Sequence, residues 1–66
     1  MNILLNGAAQ ALREGADVAE LLEVAGLAGK RVAVEVNLEI VPRSQHATRV
    51  LREGDRVEIV HAIGGG

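Results

Sequence analysis

The chain has no cysteine and no phenylalanine, tyrosine or tryptophan in its 66 residues. Without cysteine there is no disulfide, no thiolate ligand and no thiol nucleophile of its own. Without aromatics a core must be assembled from Leu, Val, Ile and Ala, and no ring can stack on a nucleobase. A dominant charge sign is also missing: nine acids and seven bases are interspersed, for a net charge of −2. The basic stripe that DNA or RNA binding demands is therefore absent. No apolar run approaches the roughly 20 residues of a membrane-spanning helix. The opening residues, Met1 to Gly7, lack a basic stretch ahead of an apolar block, so no secretion signal is expected and the cytoplasm is the expected location. At this length a single domain is expected, burying only about three-fifths of its unfolded surface.

What is present is well punctuated. Asn6-Gly7 separates "NILL" from "AAQAL", and both residues tolerate the positive φ of a type I′ hairpin turn. The first strand puts Ile3 and Leu5 on one face and Leu4 on the other; the second, Ala8 to Leu12, is rich in alanine and weaker. Asp17 with Glu20 three residues on has the form of a capping box. Val18, Leu21, Leu22 and Ala25 then recur at helical spacing and Gly26 follows as C-cap, predicting a short helix from Val18 to about Ala25. Val32, Val34 and Val36 alternate as a strand, Asn37 is the turn residue, and Pro42 ends the return strand. Within "RSQHATRVL" one helical turn capped by Ser44 is expected, with Val50 and Leu51 anchoring it to the core. Glu53 to Asp55 form a turn, and the last strand carries Val57 and Ile59 on one face.

The resulting order is β-β-α-β-β-β. One amphipathic helix covers one face of a small sheet, giving an α+β layer pair. The right-handed crossover rule favours a later strand running parallel to the first. That arrangement is a β-grasp, a mixed sheet of four to five strands with one main helix packed on one face. A ferredoxin-like alternative needs a second full helix, which the sequence does not supply.

Side-chain chemistry is sparse. His46 and His61 belong to no ligand spacing, and the plainer reading places His46 solvated on a loop and His61 on the sheet rim. Thus no metal site is expected. Ser44 and Thr48 have no base at a recognisable spacing, and Glu20 and Glu23 lie on the outer face of the helix. The glycines form no phosphate loop, because no helix follows them. An enzyme acting alone is therefore not expected, and no cofactor is expected to be bound by this chain. One reactive group remains, the carboxylate of Gly66. Glycine at positions 64, 65 and 66 has no Cβ, so such a tail can thread a narrow channel and adopt torsions closed to other residues. Two readings stand on the tail alone: a frayed end, or a conjugating tail carried by a domain spanning residues 1–63, with 64–66 flexible.

The whole chain resembles the ThiS family of thiamine-pathway sulfur carriers, a ubiquitin-like β-grasp group. The resemblance rests on "NILLNG", "VAELLE", the Asn37, Val41, Pro42, Arg43 pattern, "REGDRVEIV" and the ending Gly65-Gly66. It implies that an E1-like adenylyltransferase, using ATP and magnesium, adenylates Gly66. It further implies that sulfur from a cysteine-desulfurase persulfide relay then replaces AMP, and that the thiocarboxylate supplies thiazole synthase. Gly66 carries over as the modified residue and Gly65 as its required neighbour, with Gly64 an added glycine ahead of the family ending. The family assigns no catalytic side chain to the carrier.

On the sheet face away from the helix, alternation places Leu4, Val60 and Ala62, with Glu58 beside them. These residues are a candidate partner-binding patch, against the plainer reading that scattered exposed apolar residues are ordinary. Arg43 is either a partner contact or a solvated turn residue. Two alternatives to the thiazole carrier remain: the related carrier for molybdopterin, and a β-grasp interaction module with no covalent role.

Overall fold

The computed structural model describes residues 1–61. The expected tail of Gly64, Gly65 and Gly66, the domain boundary at residue 63 and the patch member Ala62 lie outside the described residues.

Two tight hairpins and one helix build the fold. Strands β1 (Asn2–Leu5) and β2 (Ala8–Ala11) pair antiparallel with Leu5 opposite Ala8, so the loop is the two residues Asn6 and Gly7. Their φ values, 50° and 85°, are those of the expected type I′ turn. Strands β3 (Val32–Val36) and β4 (Glu39–Val41) repeat the device, with Val36 opposite Glu39. The last strand, β5 (Arg56–His61), enters between them. The sheet order is β2-β1-β5-β3-β4, with β5 parallel to β1 and antiparallel to β3. This is the expected β-grasp at five strands, and the ferredoxin-like alternative falls away.

Helix α1 (Val18–Val24) begins where Asp17 accepts a 2.8 Å hydrogen bond from the Glu20 N–H. The other half of the capping box does not form. The Glu20 carboxylate turns instead to Arg13, which donates to it from Nε (2.9 and 2.7 Å) and from its terminal nitrogen at 2.6 Å. These bonds, with the Coulombic attraction of Glu20, raise the Arg13 guanidinium further above its already high pKa. The other free N–H groups of the first turn are taken by the chain that follows β4. Val18 donates to the Arg49 carbonyl at 3.1 Å and Ala19 to that of His46 at 2.9 Å. The helix closes in a Schellman motif: Gly26, at φ 76°, donates to the Glu23 carbonyl and Leu27 donates to that of Leu22.

Three expectations for the segment after Pro42 are corrected. Ser44 does not cap: it lies within a 3₁₀ turn (Arg43–Gln45) whose N-cap position is Pro42, with no side-chain cap. Val50 is exposed, since its backbone bridge to Asp17 turns its side chain outward, and Leu51 alone reaches the core. His46 is half-buried rather than solvated, because its ring lies 3.1 Å from the Val41 carbonyl and its own carbonyl holds the helix start.

The core sits between α1 and one face of the sheet. Val18, Leu21 and Leu22 meet Ile3, Val34, Val36, Val57 and Ile59, with Leu12 and Leu51 closing the ends. Among the described residues no polar or charged side chain is buried. The aromatic-free core is thus made of Ile, Leu and Val with one alanine, Ala16.

Candidate functional site

Since the chain continues from His61 into the tail, the features that matter first are those that hold β5. Two turn asparagines do so. Asn6, held at φ 50° by its turn, aims its side-chain amide at β5: its Oδ1 accepts from the Ile59 N–H at 2.8 Å, and its Nδ2 donates to the Ile59 carbonyl at 3.2 Å. The ladder between β1 and β5 runs from Leu4 N–H on the Asp55 carbonyl to Asn6 N–H on the Val57 carbonyl. The side chain extends that ladder by one more rung after the backbone has turned away. Asn37, also at φ 50°, mirrors this on the other flank. Its Oδ1 accepts from the Arg56 N–H at 2.9 Å and its N–H donates to the Arg56 carbonyl at 2.8 Å.

The Glu-Gly-Asp turn completes the start of β5. Asp55 accepts from Asn37 Nδ2 at 3.0 Å and from the Arg52 N–H at 2.8 Å, while Glu53 accepts from the Asn2 N–H at 2.9 Å. The motif residues Asn37, Val41 and Pro42 are thereby explained as construction. Asn37 turns and clamps, Val41 is buried in the core, and Pro42 ends β4 while its carbonyl accepts from Gln45. Arg43 is exposed, and among the described residues its side chain makes no ion pair.

The sheet face away from α1 is open. Leu4, Glu58 and Val60 all lie on it, as alternation requires, with Leu4 41% and Val60 61% exposed. They are not adjacent. Leu4 stands across from Arg56, and Val60 lies four residues farther along β5, about 13 Å at strand rise. Between them Glu58 faces Glu35 directly across the strands, a like-charge pair that weakens the local pairing. Sequence reasoning missed Ile40, 75% exposed beside Glu35 on the same face. The alternation of β4 against buried Val41 was the signal available for it.

It also missed Leu38, at the second position of the β3–β4 turn, with φ 70° and 86% exposure. A left-handed leucine costs about 1–2 kcal/mol, and its side chain recovers little of that in solvent. Leu38→Gly is expected to raise stability by about 0.5–1 kcal/mol once the added freedom of the unfolded glycine is set against the relieved strain. The melting temperature should rise by about 4 °C. A fall instead would show that the leucine side chain holds the turn.

Among the described residues no cluster of three or more His, Cys, Asp or Glu is placed to hold a metal ion. His61 ends β5 opposite Val32, exposed at the sheet rim. No described helix is long and apolar enough to cross a membrane.

The ThiS family model matches residues 3–66. The chain is 36% identical over all 66 residues to the sulfur carrier protein ThiS of Escherichia coli, covering all of both chains. It is 42% identical to a thiazole synthase of Paramagnetospirillum magneticum and 42% identical to one of Magnetococcus marinus. All of this chain aligns in both cases, but it spans only 20% of the length of those relatives. The crystal structure of the thiamine biosynthesis protein ThiS from Geobacter metallireducens superposes with a TM-score of 0.86 at 33% identity, covering all of both chains.

Proposed function

The chain belongs to the ThiS family, and from that premise we propose that it is a sulfur carrier of thiamine biosynthesis whose reacting group is the carboxylate of Gly66. The observation that carries this reading is the reach of the family match, which runs through residue 66 and so takes in the glycine tail. The domain is a carrier rather than a catalyst, acting in the cytoplasm as a co-substrate of partner enzymes.

The chemistry follows from the weakness of a carboxylate as an electrophile. An E1-like adenylyltransferase joins the Gly66 carboxylate to AMP, using ATP and magnesium in its own active site and releasing pyrophosphate. Sulfur from a persulfide, supplied by a cysteine desulfurase relay, then attacks the carbonyl carbon. One carboxylate oxygen leaves with AMP, which gives an acyl disulfide; a second thiol of the relay then cleaves its S–S bond, is itself oxidised to a disulfide, and frees the thiocarboxylate that passes its sulfur to thiazole synthase. Gly65 and Gly64 let the backbone enter the partner's channel, where a Cβ would obstruct it. The body supplies the grip: Leu4, Glu58 and Val60 on the open face are the proposed docking residues, together with Ala62, which follows them in sequence.

Intact mass tests this reading. After incubation with the adenylyltransferase, ATP and a sulfur source, the mass should rise by the difference between sulfur and oxygen. Val60→Asp, which alters no buried residue, should keep the fold and fail to convert. An unchanged mass of the unaltered protein beside a demonstrably active adenylyltransferase would sink the carrier reading.

A second reading is favoured by the two thiazole synthases, which match at higher identity than the free-standing carrier. In it these residues are a segment of a longer polypeptide, and Gly66 offers a carboxylate only after hydrolysis of the peptide bond that follows. The mass of the protein isolated from its own cells separates the two.

A further inference from the structure

A groove of about 510 Å³ lies on the side of the molecule away from the open sheet face, between one side of α1, the loop leading into β3 and the segment that starts with the 3₁₀ turn. Ala19, Leu22 and Val32 form an apolar floor, and Lys30, Arg31 and Arg43 stand around it. Three of the seven bases of a net acidic chain thus converge on one depression, against a single acid there, Glu23. All three cations are exposed, and none makes an ion pair among the described residues. The excess of positive charge over the single acid gives the depression a positive local potential, which favours the approach of an acidic partner.

The groove also lies at the tail end of the molecule. Val32 on its floor is the cross-strand partner of His61, the last residue of β5. Lys30 and Arg31 directly precede Val32 and so stand beside the end of β5, within reach of a protein that receives the residues after His61.

We propose that this groove docks an acidic, partly apolar segment of the adenylating enzyme, seated while the tail is in that enzyme's active site. The identity of that enzyme rests on the carrier reading above. An extended segment fits better than a compact phosphate. The floor is apolar, and the cations stand on separate segments around its edge. Apolar side chains of the segment lie on Leu22 and Val32, and its carboxylates reach Lys30, Arg31 and Arg43. Arg43, the one motif residue without a structural task, acquires one as a docking cation.

The test compares steady-state adenylation kinetics, read as pyrophosphate release, for Lys30→Glu, Arg31→Glu and Arg43→Glu. Arg52→Glu, the same change of charge remote from the groove, is the control. Each groove variant is expected to raise the KM for the carrier about fivefold or more at near-physiological salt with kcat kept, while the control moves it less than about twofold. Thermal unfolding followed by far-UV circular dichroism confirms that the variants fold. Equal effects in all four variants, or none in any, would overturn the proposal and leave the carrier reading intact. No pyrophosphate release with the unaltered protein would overturn both. Inorganic phosphate titrated into labelled protein is expected to move no amide saturably. Saturable shifts at Lys30, Arg31 and Arg43 would make the groove a small-anion site and overturn the assignment to a segment.

Discussion

Removing Gly66 alone is expected to abolish adenylation and sulfur loading while leaving the melting curve where it was. A chain one residue shorter still ends in glycine and still bears a carboxylate, so the chemistry of the group is conserved. What changes is reach. One extended residue spans about 3.3–3.6 Å, which is the whole separation at which two reacting atoms must meet. A docked body cannot slide to make up the difference without leaving its contacts. Since misplacement by about 1 Å already costs on the order of 100-fold, kcat/KM for pyrophosphate release should fall by at least about 100-fold. Stability should not respond, because the buried core draws on residues from Ile3 to Ile59. Gly66→Ala keeps the length and adds one methyl group, so it separates reach from bulk. A shortened chain that loads sulfur as well as the intact one would return the tail to the status of a frayed end.

Asn6→Ala is expected to be the most damaging exposed substitution in the fold. Two hydrogen bonds to Ile59 are lost, worth about 1 kcal/mol each, and a half-buried N–H and carbonyl lose their partners. Alanine also resists the left-handed φ that asparagine accepts. Together these cost about 2–4 kcal/mol, a large share of the roughly 3–10 kcal/mol available to a domain of this size. The melting temperature should drop by about 10–25 °C. Asn6→Gly restores the backbone freedom and removes only the amide, so it should cost about half as much. Hydrogen exchange supplies the decisive reading. The Ile59 amide should lose protection in Asn6→Gly well beyond the global loss of stability, while the amide of Leu4, bonded to the Asp55 carbonyl, should follow the global loss only. Equal loss at both would mean that the asparagine acts on the whole sheet and not on the strand that leads to the tail.

The hairpins and the helix were legible because their signals are local. Asn6-Gly7 sets a turn by its own φ preferences, and Asp17 with Gly26 brackets a helix whose apolar residues recur at its period. That a later strand runs parallel to the first followed from the handedness of crossovers, a rule about chains rather than residues. The misreadings fall where the deciding partner is distant. Ser44 looked like a cap until Pro42 occupied the cap position, and Val50 looked like core until its bridge to Asp17 turned it outward. Glu20 had the spacing for a capping box, but a guanidinium seven residues earlier competes better for its carboxylate. The amide bonds between Asn6 and Ile59 join residues 53 apart in sequence, and no local pattern announces them. The basic groove is likewise assembled from a loop and a 3₁₀ turn that the sequence separates by a hairpin. The tail became legible only through resemblance, since three glycines have no side chain to interpret.

The position of β5 has a consequence for how the protein is made. It is the last strand in sequence and the central one in space, flanked by β1 and β3. A nascent chain that has emerged only as far as β4 possesses two hairpins with no strand to join them, and isolated hairpins are marginal in water. The sheet therefore cannot close until Arg56 to His61 have left the ribosome, so folding waits for the whole domain. A prematurely terminated chain does not become a folded decoy competing for the same partners; it stays open to proteolysis. Folding in this molecule thus acts as a proofreading step on translation: only chains synthesised up to the approach to the glycines acquire a surface that a partner can recognise.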